Sequence, residues 1–505
     1  MRLSFVTVAI GLCTSVAAGA SRVKPRRTSS ILIDPDAQPK LPTANEAKVA
    51  AASEGLNLDD IQGDVLVGMK KDKELFFFFG IQDAAAFKSK LASDIHGLIT
   101  STTQLLDVAL QPITAVNIAF SQSGLTTLGN TDNLNDNAFR QGQSVSANSL
   151  GDPGTGNWVQ GFVGTSIHGV FLIASDTQDN VDAELANIKN ILGNSIVEIH
   201  SLQGAARPGS EKGHEHFGYM DGISQPAVQG FVQNPLPGQT PIPAGVILTG
   251  EDGDSTTRPA WAKGGSFLAF RQLQQLVPEF SKFVTDNALS VPGLSAQENA
   301  DLLGARMVGR WKSGAPIDLA PLRDDPVLAA DPNRNNDFTY DHPDLAGFTF
   351  STNQTLCPFG AHTRKTNPRA HLPTNTRNHI IRAGIPYGPE VTDAEATAQA
   401  SSKSADLERG LAFVSYQSNI ASGFAFIQQV WVDNSNFPVF TTPILAIRYK
   451  YSTYRLSYAA FIYSIGVDPI IGALNGQPRT VTGYDPLNVQ KPFVLNNGKD
   501  TLQTA

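Results

Sequence analysis

One carboxylate in this chain stands where the backbone can turn sharply on either side of it. Asp221 lies in the run Phe217-Gly218-Tyr219-Met220-Asp221-Gly222-Ile223-Ser224-Gln225-Pro226. Glycine has no Cβ, so it permits tight turns and close approach to a bulky neighbour. A carboxylate held in such a turn can be aimed into a cavity as a proton acceptor. The same residues also describe an ordinary surface turn. Nine histidines offer further chemistry, and spacing alone does not choose among them. His214 and His216 would share one face of a strand and could bind a metal there, although a hydrogen-bonded or surface pair is the commoner outcome. His362, in a basic loop, reads by itself as structural. Glu390, Asp393 and Glu395 form an acidic group that reads as a solvated face or, less commonly, a cation site.

The whole chain sets the frame for these groups. Its 505 residues are enough for two or more domains, and 41% hydrophobic with 17% charged residues is ordinary for a globular protein. Residues 1–20 read as a secretory signal, with Arg2, a short apolar core over 5–12 and the small residues Ala18-Gly19-Ala20. That apolar stretch is too short to span a bilayer. Residues 21–55 read as a pro-segment or loose lead-in. Without residues 1–27 the chain carries 33 basic and 46 acidic residues, a net charge of −13. Such acidity disfavours nucleic acid and anionic membranes as partners. Cys13 leaves with the signal, so Cys357 is alone and forms no internal disulfide. Asn353-Gln354-Thr355 is a glycosylation acceptor.

The elements that must position these groups alternate between strands and helices. Strands are expected over 64–69, 74–80, 169–174, 195–202, 265–271 and 410–416. Helices are expected over 83–110, 179–192, 273–289 and near 423–432. Pro- and Gly-rich stretches at 234–243 and 250–254 divide the pattern. Two successive mixed blocks imply two related α+β halves, over 56–245 and 256–505.

The Asp221 segment resembles the G-x-x-D-G motif of the secreted fungal dye-decolorizing (DyP-type) haem peroxidases. Five other segments match that family in the same order. Cys357-Pro358-Phe359-Gly360-Ala361-His362-Thr363-Arg364-Lys365-Thr366-Asn367-Pro368-Arg369 is similar to its proximal haem-ligand segment. Ile381-Arg382-Ala383-Gly384-Ile385-Pro386-Tyr387-Gly388 resembles the segment carrying a distal arginine. Glu408-Arg409-Gly410-Leu411-Ala412-Phe413 resembles the strand lining the peroxide channel, Val467-Asp468-Pro469 the segment whose Asp bonds the proximal histidine, and residues 61–69 the opening strand.

The resemblance implies two ferredoxin-like α+β halves, each an antiparallel sheet with packed helices, and one haem b per chain held mainly by the second half. His362 would be the proximal iron ligand, with Asp468 accepting its other ring proton. Asp221 would move a proton between the oxygens of hydrogen peroxide, and Arg382 would stabilise the charge that develops as the O–O bond breaks. Leu411 and Phe413 would line the channel. Oxidation of dyes, phenols and other bulky aromatics would follow in one-electron steps through Compound I, with Trp431 and Tyr387 as surface radical sites. Histidine ligation is expected over sulfur from Cys357, which reads as a buried thiol. An unperturbed Asp titrates near ~3.9 and a His near ~6.5, so an Asp base implies a working range on the order of pH 3–5. The resemblance further implies a secreted monomer, with neither nucleic acid nor membrane as partner. A haem-binding or haem-transfer protein on the same fold is the rival reading; it would need His362 but not Asp221 and Arg382.

Two departures from the family stand out. Residues 439–465 hold five of the ten tyrosines and read as an insertion of roughly twenty residues against the usual short connection, either translated intron or a surface lid. The C-terminus lacks the family's closing aromatic strand.

Overall fold

The computed structural model describes residues 40–438, apart from 70–71, 153–154, 156–157 and 435, and beyond them four strands. The expected signal and most of the lead-in, residues 439–453 of the expected insertion, and Asp468 lie outside the described residues.

The first half is built from β1 (Lys73–Ile81), β2 (Ala115–Ser121), β3 (Gly169–Ser175) and β4 (Ile196–Ala205). They pair antiparallel in the order β2-β3-β1-β4. Residues 84–98 cross from β1 to β2 in helical turns, and helix Gln178–Leu192 crosses from β3 to β4. That is the ferredoxin-like arrangement. β1 shows why its sequence is so apolar. Phe76 and Phe78 face the interior, where each ring lies 5.0 Å from Phe270. Phe77 and Phe79 point the other way, beneath the helices, against Phe171 and Phe87. A strand covered on both faces loses its polar alternation.

A short parallel pair, β5 (Ala227–Val228) and β6 (Pro241–Ile242), leads into the second half. Here β7 (Ser266–Gln275) and β10 (Gly410–Gln417) pair antiparallel, and β10 also carries β8 (Ile381–Arg382) and β9 (Ile385–Tyr387). β11 (Tyr454–Ser464) lies on the other side of β7, and β12 (Ala473–Gly476) beside it. The last strands, Val494–Asn496 and Lys499–Thr501, pair with each other. The halves join where β4 meets β9 at Gly204 and Tyr387, and where β11 and β12 meet β2. With β7 pairing both β10 and β11, the ten strands close into a barrel. Closure removes unpaired edges and explains how two half-sheets share one core. The join needs a glycine, because a Cβ on Gly204 would lie 2.5 Å from Ile385 Cγ2.

Three expected elements differ. Residues 64–69 are not a strand: Gly63–Leu66 form one helical turn. Gln62 explains this, since its amide donates to the Ile118 carbonyl at 3.0 Å and accepts from the Ile118 N–H at 2.7 Å. A side chain thereby takes the ladder position, and the backbone is free to coil. The helical pattern over 83–110 is interrupted at Ile99–Ser101, where Thr100 bonds both ways with Val116, and a capping box between Ser101 and Gln104 starts a new turn. Residues 273–275 complete β7; the helix begins only at Val277, with Pro278 in its first turn.

Candidate active site

Asp221 is delivered by a narrow loop. Its N–H donates to the Gly213 carbonyl at 2.9 Å, and Met220 N–H donates to Lys312 O at 3.1 Å. Gly222 follows with φ +75, a left-handed conformation that reverses the chain directly after the carboxylate. The Gly222 N–H then donates back to Asp221 Oδ1 at 2.6 Å.

Arg382 meets this carboxylate from the second half. β8 pairs Arg382 opposite Ser415 on β10, so its side chain shares a sheet face with residues at even spacing from Ser415, namely Phe413 and Leu411. The guanidinium donates to Asp221 Oδ1 at 3.0 Å and to the Ser224 carbonyl at 2.9 Å. Gln225 fixes the Arg382 backbone, bonding both its N–H and its carbonyl. Oδ1 thus receives two donors, and no described residue hydrogen-bonds Oδ2. The pair is 35% and 37% exposed, so it contributes no more than about 1 kcal/mol to stability. Its value is orientation.

His362 opens the helix His362–Thr366. The side chain is exposed, yet protein surrounds it closely enough to push its pKa down to about 4, by burial first and then by the charge of Arg382, against the pull of Asp221. Exposure together with enclosure describes an imidazole facing an internal space rather than bulk water. Arg382 and Asp221 stand close enough for their charges to act on the ring. A neutral imidazole has a free nitrogen lone pair, which is what an axial haem ligand requires. Among the described residues no other group competes for the ring: none hydrogen-bonds it, and no set of three His, Cys, Asp or Glu could hold a metal ion. The donor chemistry therefore fits a haem iron.

Leu411 and Phe413 are half-buried on the Arg382 face of β10, while the alternate residues Ala412 and Val414 pack into the barrel core. Trp431 and Tyr387 are not surface side chains. Trp431 is 2% exposed, stacked on Phe437 and edge-on to Phe426; Tyr387 is 4% exposed, its hydroxyl donating to Glu408 at 3.0 Å. Their partners lie outside the short strand or helical turn that carries each of them, which sequence spacing does not reveal. Cys357 is a buried free thiol whose pKa burial pushes up to about 12.

Of the acidic group at 390–395, Asp393 is exposed as a solvated face would have it, whereas the two glutamates are tied to arginines, and no set of carboxylates among the described residues could hold a metal ion. Glu390 pairs in fork geometry with Arg207 (2.9 and 2.6 Å), and buried Glu395 does the same with Arg409 (3.0 and 2.7 Å). His216 bonds the Tyr387 carbonyl at 2.9 Å and has Glu390 nearby at 3.9 Å. One further residue escaped the sequence reading. Glu215, between the two histidines weighed for metal, is a buried carboxylate at the mouth of the Asp221 loop. Burial pushes its pKa up to about 7, with Asp221 adding to the rise, against N–H donors from Phe217, Tyr219 and Gln275. Its polar neighbours Lys212, His214 and His216 gave the sequence no contrast by which to single it out.

Residues 60–208 match the family model described as the DyP dimeric α+β barrel domain, and residues 243–443 match the DyP-type peroxidase C-terminal domain. Peroxidase 2 of Mycetinis scorodonius is 59% identical over 98% of this chain and 95% of its own length. A dye-decolorizing peroxidase of Auricularia auricula-judae is 52% identical over 99% and 96%. A solved dye-decolorizing peroxidase in complex with 2,6-dimethoxyphenol superposes with a TM-score of 0.76 at 45% identity, covering 82% of this chain and 98% of that one. With a ferredoxin-like barrel, an enclosed histidine and relatives at this identity over nearly its whole length, the chain belongs to the dye-decolorizing (DyP-type) peroxidase family and is a DyP-type peroxidase, a family that implies a haem cofactor.

Proposed function

We propose that Asp221 and Arg382 together carry the proton transfer and the charge stabilisation of the reaction with hydrogen peroxide. The observation that supports this most directly is the 3.0 Å contact from Arg382 to Asp221 Oδ1, in a pair whose charges both act on the His362 ring. His362 would hold the iron of one haem b through its neutral imidazole. When bound, the haem supplies two-electron chemistry with peroxide and is restored by two one-electron steps from an aromatic reductant.

The protein's own part is proton transfer and charge. Asp221 Oδ2, free of other donors from the described residues, takes the proton from one peroxide oxygen and returns it to the other, which departs as water. Arg382, always charged, stabilises the negative charge on the departing oxygen. Oδ1 stays fixed by Arg382 and Gly222, so proton transfer does not require the carboxylate to reorient. Leu411 and Phe413 present apolar surface beside this pair and keep bulk water scarce. A carboxylate base remains competent at lower pH than an imidazole would, which supports turnover under acid conditions. The leader-like residues 1–20 and the acidic remainder support secretion into such a medium.

Stopped-flow absorbance of the haem-loaded protein mixed with hydrogen peroxide at acid pH, beside Asp221→Asn, tests this. A fast change in the parent and a loss on the order of 10²–10⁴-fold in the variant are expected for a lost general base. Equal rates in the two proteins would overturn the assignment. A Soret band unresponsive to peroxide in both would instead favour haem carriage.

A further inference from the structure

The Asp221 loop is organised around a second carboxylate that the proposed proton transfer does not use. Glu215 N–H donates to the Tyr219 carbonyl at 3.0 Å, and Gly218 N–H donates to the Glu215 carbonyl at 2.8 Å. Two residues further out on each side, Asp221 N–H closes onto Gly213. Inside this small hairpin the Glu215 side chain accepts the Phe217 N–H on Oε2 at 2.9 Å and the Tyr219 N–H on Oε1 at 2.9 Å. Gln275, the last residue of β7, also donates to Oε2. The Glu215 carbonyl additionally accepts from Arg207 at 2.9 Å. Every one of these partners is either in the loop or in the rigid frame beside it.

We propose that Glu215 is a positioning residue: its carboxyl group is the template on which residues 213–221 fold, and through them it sets where Asp221 stands relative to Arg382 and His362. The physical argument is that two N–H groups of a tight, buried loop have no strand or helix to satisfy them. A carboxyl group satisfies both at once, because each of its oxygens keeps an acceptor lone pair whether or not the group is protonated. Gln275 ties the same carboxylate to the barrel, so the loop is referenced to β7 rather than left to drift. A displacement of about 1 Å at a reacting group can cost on the order of 10²-fold in rate. This inference rests on the reading of Asp221 as the proton acceptor.

The test is a double-mutant cycle on haem-loaded protein, reading the second-order rate with hydrogen peroxide for the parent, Glu215→Gln, Asp221→Asn and the double variant. Glutamine keeps the size of Glu215 but must turn an NH2 toward one of the N–H donors. Glu215→Gln is expected to slow the peroxide reaction by on the order of tenfold or more, with haem content and KM for 2,6-dimethoxyphenol unchanged. In the Asp221→Asn background it is expected to cost nothing further, because Asp221 no longer needs placing. Equal slowing in both backgrounds would mean a general packing role and overturn the proposal, as would a parent-like rate in Glu215→Gln beside a slow Asp221→Asn. A parent-like rate in Asp221→Asn would overturn the reading of Asp221 and this inference with it. If Glu215→Gln does not fold, Gln275→Leu replaces it in the same cycle, with a smaller loss expected and the same outcomes deciding.

Discussion

Lys365 donates to the carbonyl of Trp431 across 3.1 Å, and the same ammonium reaches the carbonyls of Val432 at 3.3 Å and Asn434 at 2.7 Å. Trp431 and Val432 close the helical segment 424–432, whose final carbonyls have no partner within the helix. Three residues before Lys365 on its own helix stands His362. One buried cation therefore ties the end of the tryptophan-bearing segment to the helix of the proposed haem ligand, in the orientation the helix dipole favours.

Lys365→Met should show how much that tie holds. It leaves buried carbonyls without a donor, so a loss of about 1–3 kcal/mol is expected. Denaturant unfolding monitored by tryptophan fluorescence reads it. A variant as stable as the parent would mean that water satisfies these carbonyls.

Arg382→Leu should separate catalysis from folding. The Asp221–Arg382 pair is about a third exposed, so its removal should change stability by no more than about 1 kcal/mol. The rate with hydrogen peroxide should fall by on the order of 10²–10³-fold, as when a preorganised charge stabiliser is lost. Thermal melting and stopped-flow absorbance on one preparation test both halves. A large drop in melting temperature with an unchanged rate would reverse the assignment.

The residues that carry the proposed chemistry were legible only through family resemblance, in short strings that match as a whole: glycines around Asp221, the Cys357–Arg369 run around His362, and Glu408–Phe413 around Leu411 and Phe413. What was not legible depends on partners distant in sequence. Gln62 reaches Ile118, 56 residues away, and turns an expected strand into a helical turn. Glu390 and Glu395 look solvated until Arg207 and Arg409 fold onto them. The aromatic character of Trp431 and Tyr387 is plain in the sequence; their burial comes from stacking and edge contacts made only when strands and helices assemble. Glu215 was masked by the histidines on either side.

Burial of Trp431 changes what its substitution should do. At 2% exposure the indole cannot be touched by a bulky dye, so any role in dye oxidation is that of a relay for electrons. Trp431→Phe keeps the stacking on Phe437 and removes the readily oxidised ring. The expected result with an anthraquinone dye is a lower kcat with KM unchanged, and little change with a small phenol that reaches the haem directly. A raised KM with kcat intact would show that dye contacts this position after all.

The loop around Glu215 and His216 should give stability two opposed dependences on pH. The Glu215 pKa is pushed up by burial to about 7, with Asp221 adding to it. The folded state thus holds a proton that the unfolded chain releases above its ordinary value of 4.5. Its contribution is full below that value and is lost as pH rises through about 7. His216 behaves in the opposite sense. Burial pushes it down to about 4; Glu390 and the Tyr387 carbonyl oppose the shift, and Arg207 and Arg409 add to it. Its contribution is full above the ordinary 6.5 and is lost as pH falls toward about 4. Thermal midpoints of Glu215→Gln and His216→Gln, each compared with the parent between pH 4.5 and 7.5, should therefore diverge in opposite directions. Glu215→Gln should gain on the parent as pH rises, because a neutral amide has no proton to lose. His216→Gln should gain as pH falls, since it keeps a donor for the Tyr387 carbonyl without an imidazole to protonate. Curves parallel to the parent for either variant would mean that its native group titrates alike in the folded and unfolded states.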